Sequence, residues 1–476
     1  MNHNRHKGLA IFILALSQLI LALDYTIIYV ALPSLAADLG FTASHLQWVV
    51  SAYSLIYGGF LLIGGRLSDL LGRRKMFLIA MGIFGLGSLL GGVSDSQLLL
   101  IAARGLQGLG GALLSPSTLS LIMSNFEEGT ERNRALGIWA AMGGVGLSLG
   151  LLLGGGLTSY IGWESTFLVN VPIALFVMIL APFVLMESSS QSKTHHYDLA
   201  GAFSVTLGMI LIVYYLIQSP AEGWLQTSTI IPGLVGVALL LLFVVIEVRT
   251  KNPLLPFRLF RIRSLVGATL SAALFSASFG TLYYFLTLYT QEVLHFTAIQ
   301  SGLSFLPLTI SAFVGARLVN RLVTSIGVSG TIASGMGLGA IGFLLLAQLS
   351  ETGAAWGIIP GTVIAGLGQA LVFTTMYIAA STGIDVLEQG VASAIVSTGQ
   401  QMGGSIGLAV LMALITAHLG TNATLEELQP AALNGAIQIA FYLIAAIAVI
   451  GSVVTFSLLK QRKSRTGDSL QALHKG

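Results

Sequence analysis

Residues 21–33 read LALDYTIIYVALP. One acid, Asp24, stands in a run otherwise apolar enough to cross a bilayer. A carboxylate at that depth is costly, and ionisable residues inside spans generally mark ion or substrate pathways. Burial disfavours the charged form of a carboxyl group. Such a group can bind a proton or a cation, but not both at once, which is the simplest form of an antiporter. Asp24 lies about 15 residues into its span, roughly 22 Å along it at 1.5 Å per residue. Gln18, Tyr25 and Tyr29 share an adjoining face and are candidates to line a path beside it.

The rest of the chain supports the membrane reading. Of 476 residues, 55% are hydrophobic and only 9% are charged, against about 25% charged in soluble domains. Charge this sparse cannot coat a soluble globule, so the fold class is an all-α polytopic membrane protein. The absence of cysteine excludes disulfides, thiolate metal sites and a cysteine nucleophile. There is no Gly-Lys pair, hence no phosphate-binding P-loop, and no H-E-x-x-H zinc motif. No soluble insert is long enough for a catalytic domain. The chain therefore reads as a secondary transporter and not an enzyme, with no cofactor, no metal and no nucleic-acid partner. The short basic start, MNHNRHKG, runs into a retained first span.

About 20 apolar residues cross the hydrocarbon core. By that rule the sequence predicts fourteen spans, near 9–32, 45–65, 76–94, 98–123, 135–158, 166–186, 198–218, 229–248, 265–290, 299–322, 328–348, 354–381, 391–418 and 434–459. Loop charge tests that count, because Lys and Arg accumulate on the cytoplasmic side. With both termini inside, the inner loops hold Arg5, Lys7, Arg73, Arg74, Lys75, Arg132, Arg134, Lys193, Arg249, Lys251, Arg258, Arg261, Arg263, Arg317 and Arg321. The outer loops hold no Lys or Arg, only acids such as Asp38, Asp95, Glu164, Glu222, Glu292 and Glu351.

Weak internal repeats support two halves. RLSD (66–69), GLGGAL (108–113) and MGG (142–144) recur in the same order as RLVN (317–320), GLGQAL (366–371) and MGG (402–404). Spans 2, 4 and 5 thus match spans 10, 12 and 13. The expected organisation is a six-helix bundle over 1–187 and a linker over 188–263 carrying spans 7 and 8. A second six-helix bundle over 264–460 and a cytoplasmic tail, 461–476, follow. Parallel repeats of this kind occur in transporters that bind substrate near the midplane between two rocking halves.

The intramembrane charges, Asp24 and Arg104, both fall in the first half, where Arg104 needs a carboxylate or carbonyl partner and can pair with Asp24. The second half offers Tyr283, Tyr284, Thr287, Gln369, Tyr377, Gln400 and Gln401, and the first half Tyr53, Tyr57 and Trp139, as candidates for a substrate wall. GGVGLSLGLLLGGGL (143–157) places Gly146, Gly150, Gly154 and Gly155 on span 5, where small residues allow close helix crossing. Ordinary packing is one reading of these glycines; the functional alternative is a proton seal.

Four motifs carry a resemblance. GGRLSDLLGRRK (64–75) looks like the loop signature between spans 2 and 3 of the major facilitator superfamily. LDYTIIYVALP resembles the span 1 signature of its fourteen-helix drug:proton antiporter branch. ARGLQGLGGALLSPS (103–117) is similar to the span 4 signature, and GWESTFLVNVP (162–172) to the segment entering span 6. The resemblance implies a major facilitator fold and proton-driven multidrug efflux from a bacterial inner membrane, by a monomer, through rocker-switch alternating access. It implies that Asp24 and Arg104 couple protons and that Gly65, Asp69 and Arg73 gate the loop. Two positions depart from the family pattern: Leu151 stands after Gly150 where proline is usual, and Trp163-Glu164-Ser165 replaces Trp-Arg-Trp. Spans 9–14 hold no acid, so the expected cargo is lipophilic and monovalent cationic or neutral. The runner-up is export of one antibiotic, lipid precursor or anionic metabolite by the same fold; a receptor or scaffold would bind without flux.

Overall fold

The computed structural model describes residues 2–127, 129–187, 199–250, 257–351, 355–384, 389–419 and 429–459. The loop with Lys193, Lys251 and the tail 461–476 lie outside these residues, as do the side chains of Arg5 and Asp69. The described residues are helices joined by short connections: α1 (Asn2–Leu39), α2 (Ala43–Leu46), α3 (Trp48–Leu71), α4 (Arg73–Gly92), α5 (Gln97–Asn125), α6 (Thr130–Tyr160), α7 (Ser165–Leu168), α8 (Asn170–Val184), α9 (Leu199–Glu222), α10 (Thr227–Arg249), α11 (Arg263–Phe275), α12 (Thr281–Leu288), α13 (Ala298–Ser304), α14 (Leu306–Leu346), α15 (Ile358–Ser381), α16 (Gln389–Leu419) and α17 (Pro430–Leu459). Twelve helical stretches among them are long and apolar enough to cross a membrane. Helices suit that setting because they satisfy their own backbone groups.

Two features depart from simple rods. The stretch Ala298–Leu346 is broken at Gly327, whose φ of 76° is a left-handed conformation that suits glycine. Its limbs run in opposite directions along α15: Leu308 and Gly315 meet Gly366 and Leu367, whereas Gly335 and Gly342 meet Gly368 and Gly361. Two π-helical turns, Ser276–Gly280 and Tyr289–Val293, flank α12. Single π turns inside α-helices are frequent at functional sites. No periodicity in the sequence marked either one.

Glycine sets how closely the helices approach. A Cβ on Gly146, Gly150 or Gly154 of α6 would sit 2.7, 2.6 and 2.6 Å from the carbonyl oxygens of Leu19, Leu23 and Ile27 on α1. The four-residue spacing stacks these glycines on one face, and Thr26 Oγ1 of α1 donates to the Leu147 carbonyl at 2.9 Å. The same device recurs where Gly403 and Gly407 of α16 meet Ala273 of α11 and Ala277 of the π turn. Gly155 faces the other way, toward the Ala298 carbonyl of α13.

The chain end with Lys7, Arg73, Arg74, Arg134 and Arg317 is called the basic end below. There Lys7 pairs with Glu131 at 2.9 Å and Arg74 with Glu187 at 3.3 Å. At the opposite end Trp163, 4% exposed, donates Nε1 to Asp38 at 3.0 Å, so the departure at Trp163-Glu164-Ser165 keeps a buried anchor.

Gly154→Leu is expected to lower the thermal midpoint and yield of detergent-purified protein. Gly156→Leu, where an added Cβ meets nothing within 4 Å, is expected to leave both unchanged.

Candidate functional site

Asp24 and Arg104 meet inside the first set of helices. Arg104, on α5, donates NH1 to Asp24 Oδ2 at 2.8 Å, and both side chains are almost wholly buried. The carboxylate is saturated: Oδ1 also accepts from Gln107 Nε2 and from Asn170 Nδ2, each at 2.8 Å. Arg104 further donates NH1 to Gln107 Oε1 at 2.8 Å and Nε to the Val49 carbonyl at 2.9 Å. Gln107 Nε2 reaches Ser88 Oγ at 2.8 Å. The Tyr53 ring lies under the guanidinium, 4.5 Å from its carbon to the ring centroid, a cation–π contact. Five helices, α1, α3, α4, α5 and α8, therefore converge on one neutral ion pair.

Local sequence explains the convergence. Arg104 and Gln107 are three residues apart and so share a face of α5. Close approach of α4 and α5 comes from glycine: a Cβ on Gly87 would sit 2.8 Å from the Gln107 nitrogen, and one on Gly110 2.6 Å from that of Phe84. A Cβ on Gly108 would meet the Tyr53 carbonyl at 2.4 Å, which brings α3 in from the other side.

The carboxylate does not itself face the space between the two sets of helices. Its neighbour Tyr25 does. A small cavity of about 10 Å³, the volume of roughly one water probe, is lined by Tyr25 and Tyr29 of α1, Val50 and Ser54 of α3, Ser276, Gly280, Thr281 and Tyr284 around α12, and Ser405 of α16. Its lining contains hydroxyls and aromatic rings and no ionisable acid or base. Val49, which accepts from Arg104, precedes Val50 of the lining, so the ion pair lies directly behind the cavity wall.

The other candidates fall into distinct places. Tyr29 stacks on Tyr283 with centroids 5.6 Å apart, and Tyr283 stacks on Phe305 at 5.7 Å. Gln369 Nε2 donates to Tyr283 Oη at 2.9 Å. Tyr377 bonds Ser397 at 3.0 Å and Gln400 at 3.2 Å. Tyr53 stacks on Tyr57 at 5.7 Å, and Gln401 packs against Gly58. Thr287 is buried, and neither its Oγ1 nor Nε1 of Trp139 has a hydrogen-bond partner among the described residues. Gln18 is outside the lining of that cavity and packs against Gly143 of α6. Arg73 NH1 donates to the Ser120 carbonyl at 3.3 Å, and an added Cβ on Gly65 would be 3.8 Å from Pro116. The Asp69 carboxylate is outside the described side chains.

Sequence reasoning missed Gln107, Asn170 and Ser88. The spacing in RGLQ could have found Gln107. Asn170 lies in the quoted segment GWESTFLVNVP, where an amide among apolar residues was the available signal.

Comparison with known proteins identifies the family of the fold. The Major Facilitator Superfamily model matches residues 14–408. The chain is 38% identical over 449 residues to the cephamycin export protein CmcT of Amycolatopsis lactamdurans, covering 94% of this chain and 92% of the relative. It is 35% identical to the puromycin resistance protein pur8 of Streptomyces alboniger, covering 87% and 82%. It is also 35% identical to the multidrug resistance protein Stp of Mycobacterium tuberculosis (strain CDC 1551 / Oshkosh), covering 89% and 78%. Among solved structures the fold matches the nucleoside transporter NupG with TM-score 0.68 at 10% identity, covering 95% of this chain and 100% of that one. An auto inhibited POT family peptide transporter matches with TM-score 0.68 at 16% identity, covering 95% and 97%.

Removing one member of a buried ion pair costs about 3–5 kcal/mol because the other charge is left unpaired. Arg104→Gln should therefore lower the thermal midpoint in detergent sharply. The double variant Asp24→Asn with Arg104→Gln should recover part of that loss. With the fold, the paired intramembrane charges and these relatives together, the chain belongs to the major facilitator superfamily.

Proposed function

We propose that the protein is a proton-driven drug exporter of a bacterial inner membrane, working by alternating access with the Asp24–Arg104 pair as the proton site. The observation that carries this reading is the burial of that pair one residue behind the Tyr25 lining of the central cavity. Relatives named for antibiotic export and resistance support the direction of transport.

The proposed topology has fourteen spans with both termini in the cytoplasm. The twelve long stretches count Ala298–Leu346 once and omit α3. Counting both limbs about Gly327 and the 24-residue α3 gives fourteen. Basic residues then gather on the cytoplasmic side, as the loop-charge rule requires.

In the proposed cycle, protonation of Asp24 removes the anion that holds Arg104, Gln107 and Asn170 together. Helix α1 also contacts the other set of helices, through the Tyr29–Tyr283 stack and the bond from Gln291 Nε2 to the Val30 carbonyl at 2.8 Å. A change at Asp24 can thus alter how α1 seats against α12. The coupling is indirect: the proton is held behind the wall, the cargo in front of it. Lys and Arg chemistry on the cavity wall is not needed for this.

The cargo we assign is lipophilic and at most singly charged. Aromatic faces of Tyr25, Tyr29 and Tyr284 suit planar molecules and single cations. A second reading, export of one neutral or anionic compound, is favoured by the same wall, because no carboxylate on it balances a cation.

In liposomes with an imposed pH gradient, the wild type should drive uphill efflux of rhodamine 6G. Asp24→Asn should abolish uphill movement and leave downhill exchange. Uphill efflux by the variant would refute the assignment.

A further inference from the structure

The two lateral seams between the halves are closed in different ways. One seam lies between α3 and α16, and α9 covers it. Leu55 of α3, Val213 and Ile217 of α9 and Ala409 of α16 form one buried cluster. Toward the basic end α9 stays on α3, through Phe203 edge-on to Phe60 at 5.3 Å, and through Ala202 against Ile63. Toward the other end Gln218 of α9 hydrogen-bonds His45 of α2 at 3.1 Å. The inserted hairpin thus packs on both α3 and α16 and covers this seam.

The opposite seam, between α6 and the first limb of α14, has no such cover among the described residues and opens along its length. Three glycines on one face of α6 measure the opening. A Cβ on Gly155 would sit 2.6 Å from the Ala298 carbonyl; one on Gly144 would meet only Phe313, at 4.0 Å; one on Gly137 would meet nothing within 4 Å. At 3.6 residues per turn these positions lie on one line of the helix. Leu151 and Gly155 on that line are buried, whereas Gly137, Ala140 and Ala141 are exposed. On the facing helix Gly302 is buried, and Phe313, Arg317 and Asn320 are exposed. The same two faces that seal the molecule at one end are bare at the basic end.

Chemistry at this mouth is specific. Its walls are apolar, with Phe313 50% exposed. Its rim carries Arg134 on α6 and Arg317 on α14, both exposed, each within about a quarter turn of the seam line at 100° per residue. Neither has a carboxylate partner among the described residues.

We propose that this seam admits an amphiphile with an acidic head that is dissolved in the leaflet at the basic end, its head at Arg134 and Arg317 and its chain beside Phe313 and the Gly137–Ala141 surface. The inference rests on the reading of the protein as an exporter. It adds a one-sided route from the bilayer, and it names a substrate class for that route. The hairpin of α9 and α10 then makes the route one-sided by closing the other seam.

The test uses the full chain in phosphatidylcholine vesicles. Because the chain has no cysteine, Ala141→Cys can carry a single bimane label. Leu241→Cys, on the lipid-exposed α10 at 63% exposure, is the control. Quenching is compared at equal mole fraction for 12-doxyl stearic acid, 12-doxyl phosphatidylcholine and a cationic nitroxide amphiphile. The acid should quench the label at position 141 about fivefold more than the phospholipid does, from attraction to the basic rim. At position 241 the acid and the phospholipid should quench alike. Arg134→Gln with Arg317→Gln should remove the excess at position 141. Equal quenching by acid and phospholipid at position 141, an equal excess with the cation, or an excess that survives the double variant would overturn the proposal. The readout needs no transport, so loss of rhodamine 6G efflux would count against the exporter reading and not against this site.

Discussion

The buried pair of Asp24 and Arg104 is the constraint around which the first set of helices is arranged. Neither charge is tolerable alone at that depth. Each therefore fixes the other, and three further polar groups fix the remaining lone pairs and protons. Gln107, Asn170 and the Val49 carbonyl come from three different elements, so satisfying one ion pair positions α1, α3, α5 and α8 together. A buried pair is weak evidence for net stability, because desolvation offsets much of the attraction. In the proposed exporter its role is switching, because protonation of Asp24 would remove the anion that Arg104, Gln107 and Asn170 share.

Close packing lets that dependence spread. Glycines at four-residue intervals bring α6 onto α1 at backbone contact, and a matching set brings α16 onto α11. Such contacts slide or tilt with little side-chain rearrangement. Tyr25 and Tyr29 then face the other half from the same helix that holds Asp24. The π turns on both sides of α12 lie where that helix meets α1, so the backbone is irregular at the place where the halves communicate.

Much of this could be read in the residues beforehand. Asp24 and Arg104 stood out because charge is rare in apolar spans. The close-packing role of Gly146, Gly150 and Gly154 followed from their spacing. Other features could not be read, for physical reasons. Gln18 shares the helical face that suggested a path, yet the depth of that face along the helix puts it against Gly143. Asp24 was expected to take a proton or a cation in turn; its partners draw it inward and leave Tyr25 at the wall. The position of α9 over α3 and α16 was invisible, because a helix that meets lipid on one side and protein on the other is apolar all round. The break at Gly327 falls in the gap between the predicted spans 299–322 and 328–348, whereas the π turns had no signal in residue type.

The central claim is that drug and proton compete through α1 although they occupy different sides of its wall. The most direct measurement is proton release when rhodamine 6G is added to purified protein in weakly buffered detergent, followed with a pH-sensitive dye. The account predicts release by the wild type and none by Asp24→Asn, with binding retained in both. Binding without release by the wild type, or equal release by the variant, would contradict it.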